Sequence, residues 1–228
     1  MRLSLAGLML MLAVGSSAYA QLDDKVADRL WESSKVVDES LKGADSDIPR
    51  DLIKKASCVA IIPAVKKAAF GFGGQYGRGA VSCRKDEGKG EFGAPSMLKI
   101  EGGSFGFQIG GESVDVVMLF MSPKSMESLL KDKVTLGGDV SVAAGPIGRQ
   151  ASAETNATMR AEILTYAKSR GIFAGLSLKG SSLRPDNDAN ESLYGRKIPA
   201  KEILIEHKVP SPQVAQKLID SLTKAVAN

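Results

Sequence analysis

The chain has 228 residues, of which 43% are hydrophobic, 25% charged and 5% aromatic. This balance is typical of a globular protein and excludes a mostly disordered, collagen-like or coiled-coil chain. A chain of this length buries roughly 70% of its unfolded surface, so we predict one domain that needs no metal to fold. The 24 glycines, many of them between short apolar runs, are typical of tight turns between β-strands.

The first 20 residues have the features of a secretory signal peptide. Arg2 precedes an apolar run from Leu3 to Val14, and the small-residue site Ala18-Tyr19-Ala20 follows. The run is too short for a membrane-spanning helix. We therefore predict cleavage after Ala20 and export to the periplasm or beyond as a periplasmic or secreted protein. The mature domain, residues 21–228, loses Arg2, which lowers the net charge of +4 by one.

Cys58 and Cys83 are the two cysteines of the chain, an even number that suits an oxidising compartment. Each lies at one end of an apolar run, and neighbouring strands bring Cα atoms within the separation of about 6 Å that a disulfide needs. We predict a disulfide, with two buried free thiols as the alternative. His207 is the single histidine, so a zinc site of the usual Cys/His type cannot be assembled, and we predict neither metal nor cofactor.

The hydrophobic pattern predicts an α+β fold, namely a β-rich single domain of mostly antiparallel strands. An amphipathic N-terminal helix is expected from Leu22 to Leu41, and a short helix follows near residues 47–55. The period then changes to that of strands. Six antiparallel strands are expected in sequence order, at residues 58–62, 68–72, 79–83, 97–101, 104–109 and 114–121.

The second half of the chain predicts a mid-chain helix, two more strands and a C-terminal helix. Ser122 and Pro123 are typical of a helix cap and first turn. Strands are expected at residues 161–168 and 172–178, and a turn plus a short helix between Pro185 and Gly195. The C-terminal helix, up to Val226, is expected to begin behind Ser211 as its cap.

Positive charge is concentrated between residues 54 and 89, which contain eight basic and two acidic residues. This stretch predicts a surface that faces anions, although strand alternation would instead scatter the side chains around the domain. Aromatic and basic residues do not alternate as in nucleic-acid-binding proteins, so an anionic membrane surface is the preferred partner. The predicted lipid-binding residues are Lys66, Lys67, Arg78, Arg84 and Arg149, aided by Arg184 or Arg196.

The segment Gly102-Gly103-Ser104-Phe105-Gly106 matches the nucleophile pattern of many hydrolases, and His207 follows it in the chain. That pattern requires a strand before the serine and a helix after it, whereas strands are expected on both sides here. We expect the glycines to form a hairpin and predict no catalytic residue. An esterase that uses Ser104 is a distant alternative.

Asp186, Asp188 and Asn190 place oxygen ligands at alternate positions, as in the first half of a calcium-binding loop. Glu191 stands where that loop requires glycine, and Lys197 stands where it requires glutamate. A surface turn whose side chains bond the local backbone is the simpler interpretation. Whether the three residues bind a cation stays open.

Five segments in the same order resemble successive blocks of the SYLF domain family. They are GQYGRG at residues 74–79, GGESVDVV at 110–117, LGGDVSVAAGPIGR at 136–149, GIFAG at 171–175 and NESLYG at 190–195. The resemblance covers nearly all of the mature chain and is strongest to the exported bacterial members of the family.

The resemblance implies a non-enzymatic lipid-binding module, because eukaryotic relatives are associated with phosphoinositide membranes and some with actin filaments. We therefore expect an anionic phospholipid or membrane surface as the partner. An envelope protein is the alternative partner, in which case lipid binding is incidental. Actin is not expected as a partner in an exported compartment.

Overall fold

The computed structural model describes residues 23–41, 48–70, 72–104, 110–147, 160–169 and 172–227. The α-helices are α1 (Asp24–Ser40), α2 (Arg50–Lys55), α3 (Lys85–Gly88), α4 (Pro123–Ser128), α5 (Asn187–Tyr194), α6 (Ala200–Leu204) and α7 (Gln216–Val226). The strands are β1 (Cys58–Phe70), β2 (Phe72–Cys83), β3 (Ser96–Ser104), β4 (Gly110–Phe120), β5 (Val134–Thr135), β6 (Val142–Ala144), β7 (Ile163–Ser169), β8 (Ile172–Gly175) and β9 (Ser182–Pro185). The predicted α+β class is confirmed, with helices at the N-terminal, middle and C-terminal positions expected.

The strands form one sheet in the order β5-β9-β3-β2-β1-β4-β7-β6, and β8 pairs with β7 beside β6. The β6–β7 pair is parallel and the other pairs of named strands are antiparallel. The prediction of a mostly antiparallel sheet is therefore confirmed. Strands β3 and β4 follow each other in the chain but lie on opposite sides of the β1–β2 pair. Gly102 and Gly103 lie within β3, and residues 105–109 of the next expected strand lie outside the described residues.

Strand β1 is longer than the sequence pattern indicates. The expected strands 58–62 and 68–72 are largely joined across an irregularity at Pro63 and Ala64, where the register to both neighbours shifts. Ala64 has a φ of 49°, and its backbone N–H donates to Asp115 Oδ1 at 2.9 Å. Proline has no N–H for a ladder hydrogen bond, and a β-bulge accommodates it without ending the strand.

The sheet separates two apolar layers, and the alternation along each strand assigns its side chains to one or the other. Val59 and Ile61 of β1 pack with α1, α2, α5 and α7, which we call the helix layer. Ala60 and Ile62 pack on the opposite face with α4, α6 and the segment 134–142, which we call the loop layer. Strands buried on both faces explain why the sequence shows short continuous apolar runs.

The predicted disulfide is confirmed. Cys58 and Cys83 are direct cross-strand partners in β1 and β2, with Cα atoms 4.0 Å apart, and a bond joins their sulfurs. Both residues are fully buried in the loop layer. The bridge therefore closes the β1–β2 pair at its end nearest α2 and α3.

Helix α4 begins as the sequence predicts, with Ser122 as its cap and Pro123 in its first turn. The Ser122 hydroxyl accepts from the Ser125 N–H at 3.1 Å, and the Ser125 hydroxyl accepts from the Ser122 N–H at 3.1 Å. The equivalent prediction for Ser211 is wrong. A 3₁₀ turn over Gln213–Ala215 precedes α7, and no side chain caps either element.

We expect Ser122→Ala to lower the free energy of unfolding by about 1 kcal/mol, because the Ser125 N–H loses its acceptor. Urea unfolding followed by circular dichroism measures this change. Glu127→Ala is the matched control, since Glu127 is exposed on the same helix. Equal stabilities of the two variants would contradict the role of the cap.

Candidate functional site

Three basic residues lie side by side across adjacent strands on one face of the sheet. Arg78 in β2 is the cross-strand partner of Lys99 in β3, and Lys99 is also the partner of Arg184 in β9. Cross-strand partners share a face, and Met97, two residues before Lys99, is part of the helix-layer core. The three side chains therefore project toward the helix-layer side. Like charges directly opposite each other destabilise a sheet, so folding stability does not explain this row.

A second row on the same face adds a lysine and an exposed aromatic ring. Lys66 in β1 is the partner of Tyr76 in β2, and Lys66 is exposed. Tyr76 is 43% exposed. Arg78 donates from Nε to the Tyr76 hydroxyl at 2.5 Å, and its guanidinium lies 5.9 Å from the ring centroid. We call the surface formed by Lys66, Tyr76, Arg78, Lys99 and Arg184 the cationic face.

The acids beside the cationic face neutralise only part of its charge. Arg184 pairs with Glu101 at 2.9 Å, and Arg78 lies 3.5 Å from Asp186 Oδ2. Among the described residues, Lys66 and Lys99 have no ion-pair partner within 4.0 Å. Two lysines of this surface are therefore available to an external anion.

A buried carboxylate ties the cationic face to the N-terminal helix. Asp186 is 1% exposed and lies 3.8 Å from Nη1 of Arg29, which projects from α1. Burial lowers the pKa of Arg29, and the charge of Asp186 opposes that shift. The hydrogen bond to Tyr76, assisted by Asp186, raises the pKa of Arg78. Both guanidinium groups stay charged, so the Asp186 carboxylate lies between two cations, Arg29 of α1 and Arg78 of β2.

Helix α1 itself presents a mixed, acid-rich surface to solvent. Its apolar side packs into the helix layer, whereas Asp24, Asp28 and Glu32 are exposed. Trp31 is 47% exposed, and the ammonium group of Lys217 lies 3.5 Å from its ring centroid. Within the described part of the chain, no helix is both long and apolar enough to cross a membrane. The acids of α1 make it a poorer anion-facing surface than the cationic face.

The structure separates the residues that the sequence proposes for lipid binding. Lys67 follows Lys66 in β1, so it projects to the loop-layer side, where its cross-strand partner is Glu112. Arg84 donates to the carbonyl oxygens of Lys54, Lys89 and Gly90, which makes it a structural residue. Arg84 is six residue steps after Arg78, which is roughly 20 Å of extended chain.

Of the remaining predicted residues, Arg149 lies outside the described residues, as does the signal peptide. Arg196 is exposed just after α5. Lys99 is a residue of the cationic face that the sequence pattern does not single out. Its signal is the alternation Leu98-Lys99-Ile100-Glu101, which places Lys99 and Glu101 on the less buried face, but the partners of β3 cannot be read from that pattern.

A polar cleft of about 290 Å³ is lined in part by Lys99 and Arg184 of the cationic face. It lies where β3 and β9 meet the start of α5 and the connection after α4. Its lining residues are Lys99, Asp132, Arg184, Pro185, Asn187 and Asp188. The cleft therefore carries charges of both signs.

The residues that resemble half a calcium loop have other roles. Asn190 accepts from the Met97 N–H at 2.7 Å and donates to the Met97 carbonyl oxygen at 3.3 Å, so its amide binds β3. Asp186 faces two arginines, whereas Asp188 is exposed. The interpretation as a surface turn is wrong, because residues 187–194 form α5 and the buried side chains bond distant elements. No group of three or more potential ligands for a metal ion exists among the described residues.

Ser104 and His207 lie at opposite ends of β2. Ser104 is the cross-strand partner of Gly73, near the start of β2. His207 packs against Gly93, whose N–H donates to the Cys83 carbonyl oxygen at the other end. The ten residue steps from Gly73 to Cys83 span roughly 33 Å of strand. His207 is therefore not the general base of an esterase that uses Ser104.

Sequence comparisons agree on one family. Residues 101–225 match the family model described as "Ysc84: Las17-binding protein actin regulator". The chain is 38% identical over 175 residues to LAS seventeen-binding protein 3 of Saccharomyces cerevisiae, covering 75% of this chain and 38% of that protein. It is 36% identical over 208 residues to SH3 domain-containing YSC84-like protein 1 of Homo sapiens, covering 90% of this chain and 59% of that protein.

The chain spans between 38% and 59% of the length of these two relatives. The alignment with the human protein nevertheless covers nine tenths of this chain, and the family match extends from β3 to α7. The chain thus belongs to the Ysc84 family, which is the SYLF-domain family that its sequence blocks resemble.

Proposed function

We propose that this protein is an exported, non-enzymatic module that binds anionic lipid headgroups through the cationic face. The row of Arg78, Lys99 and Arg184 across three strands is the observation that carries the proposal. Placing three like charges side by side opposes folding, and an anionic partner removes that repulsion. Exposed lysine and arginine side chains supply the charge, and Tyr76 supplies an amphipathic ring suited to a membrane interface.

The charge of the cationic face is sufficient for reversible binding. Each basic side chain near an anionic membrane contributes about 1 kcal/mol, so Lys66, Arg78, Lys99 and Arg184 together contribute about 4 kcal/mol. The ion pairs of Arg78 and Arg184 with acids reduce this value. Binding is therefore expected to depend on several cations acting together and to weaken as salt increases.

The cysteine bridge supports export. Disulfides persist in secreted and periplasmic proteins and are rare in reducing compartments. The Cys58–Cys83 bond therefore suits a protein whose first 20 residues direct secretion. An exported protein does not meet actin, so from the family's description we carry over a binding role and not the actin partner.

Two double variants with the same charge change test the assignment of the face. Lys66→Gln with Lys99→Gln neutralises two cations of the cationic face, whereas Lys67→Gln with Lys89→Gln neutralises two elsewhere. At about 1 kcal/mol per cation, the first pair is expected to weaken binding to phosphatidylglycerol vesicles about thirtyfold. The second pair is expected to change it less than about threefold. Equal losses in vesicle co-sedimentation would contradict the assignment.

A protein-interaction module is the second candidate function. The family model is described as Las17-binding, and Trp31 of α1, which is not one of the residues of the cationic face, is an exposed aromatic residue. Aromatic residues are enriched at protein interfaces. Under this alternative, an envelope protein is the partner and lipid binding is incidental. Salt distinguishes the two functions, because an apolar interface weakens far less at high ionic strength.

A further inference from the structure

We propose that the polar cleft lined by Lys99 and Arg184 of the cationic face binds a small zwitterion that carries a phosphate group and a primary ammonium group. Phosphoethanolamine is the simplest such ligand. This proposal goes beyond the proposed function, which requires only that the partner membrane be anionic. The cleft has a volume of about 290 Å³. That is at the lower limit of small-molecule sites, about 300 Å³, and suits a headgroup-sized ligand.

The sheet supplies the phosphate-binding side of the cleft. Lys99 has no ion-pair partner within 4.0 Å among the described residues. Nε of Arg184 pairs with Glu101 at 2.9 Å. A guanidinium has five N–H donors, so Arg184 keeps further donors for a ligand. An ammonium and a guanidinium on adjacent strands are the usual protein ligands of a phosphate group.

The segments that flank the sheet supply the opposite charge. Asp132 follows α4 and Asp188 lies in the first turn of α5; both are exposed. Neither carboxylate has an ion-pair partner among the described residues. A phosphate alone would be repelled by these two acids, whereas an attached ammonium group neutralises them. The cleft therefore favours a ligand with both charges over either charge alone.

Calorimetry with soluble probes tests the site on the purified full chain. The probes are phosphoethanolamine, inorganic phosphate and ethanolamine. We expect phosphoethanolamine to bind at least tenfold more tightly than either of the other two. Equal affinity for inorganic phosphate, or no binding of phosphoethanolamine, would overturn the proposal.

Matched variants locate the ammonium-binding side. Asp132→Asn with Asp188→Asn is expected to weaken phosphoethanolamine binding about tenfold without weakening phosphate binding. Asp24→Asn with Asp28→Asn makes the same charge change on α1 and is expected to leave both affinities within twofold. If the cleft variant and the α1 variant weaken the affinity for phosphoethanolamine equally, the assignment to the cleft is wrong.

The source of the ligand and the independence of the two proposals are tested with vesicles. Competition between soluble phosphoethanolamine and phosphatidylethanolamine vesicles indicates a lipid headgroup. Binding of the soluble probe without such competition indicates a free phosphoester, and either result supports the site.

Anionic vesicles without amines test the cationic face separately. Binding to them without any phosphoethanolamine binding overturns the cleft site alone, and the converse result overturns the proposed function alone.

Discussion

Replacing Cys58 and Cys83 together by alanine is expected to lower the free energy of unfolding by about 3.5 kcal/mol. The bridge closes a loop with a sequence separation of 25 residues, and the loop entropy of the unfolded chain gives that value. At 2–4 °C per kcal/mol for a protein of this size, the melting temperature falls by roughly 7–14 °C. Differential scanning calorimetry of the two proteins measures both quantities.

Reductant provides the control for the disulfide variant. Dithiothreitol is expected to lower the urea midpoint of the unmodified protein toward that of the double variant and to leave the double variant unchanged. Because both cysteines are fully buried, the native protein is expected to react only when it opens. Equal midpoints for the two proteins without reductant would show that the bond contributes no stability.

The second large effect is expected at Asp186. Asp186→Asn keeps the shape of the side chain but leaves Arg29, whose side chain is 13% exposed, without its counter-charge. Loss of one partner from a buried ion pair is strongly destabilising, and here we expect about 3 kcal/mol by urea unfolding. The neighbouring exposed Asp188→Asn serves as the matched control and is expected to change stability by less than about 0.5 kcal/mol.

A double-mutant cycle separates the charge from the packing at Asp186. In the background of Arg29→Met the isolated cation is absent, so Asp186→Asn is expected to cost less than in the unmodified protein. Arg78 stays near Asp186 in both backgrounds and retains part of the effect. Additive costs would indicate that Asp186 stabilises the fold independently of Arg29.

The elements with strong local patterns are the ones that the sequence predicts well. The helix near Leu22–Leu41, the strand near 114–121 and the cap at Ser122 each depend on spacing within one segment. The disulfide is also predictable, because each cysteine lies at one end of an apolar run in a chain whose first 20 residues have the features of a signal peptide. The five segments that resemble the SYLF domain are also recognisable from sequence, because each is a short continuous stretch of the chain.

Properties that depend on which strands meet are not predictable in this way. Pairing of β1 with β4, and of β3 with β9, joins segments separated by long stretches of chain, and alternation reports the buried face without naming the neighbour. The short strands β5, β6 and β9 are too brief to show a period.

The candidate site depends on the same long-range pairing. Lys66 and Lys67 are adjacent in sequence, yet alternation sends them to opposite faces. Arg78 lies within β2, whereas Arg84 follows the end of that strand, and the Arg84 guanidinium is bound by backbone carbonyl groups. Lys99 joins Arg78 only because β3 pairs with β2. A count of basic residues therefore finds the charge without finding the surface.

Flotation of the purified protein with vesicles tests the central claim most directly. Pure phosphatidylcholine vesicles are compared with vesicles that also contain phosphatidylglycerol, at low salt and at high salt. The cationic face predicts flotation with the anionic vesicles at low salt, loss of that flotation as the Debye length shortens from about 30 Å at 0.01 M to about 3 Å at 1 M salt, and none with neutral vesicles. Equal flotation with both vesicle types, or none with either, would contradict anionic lipid recognition.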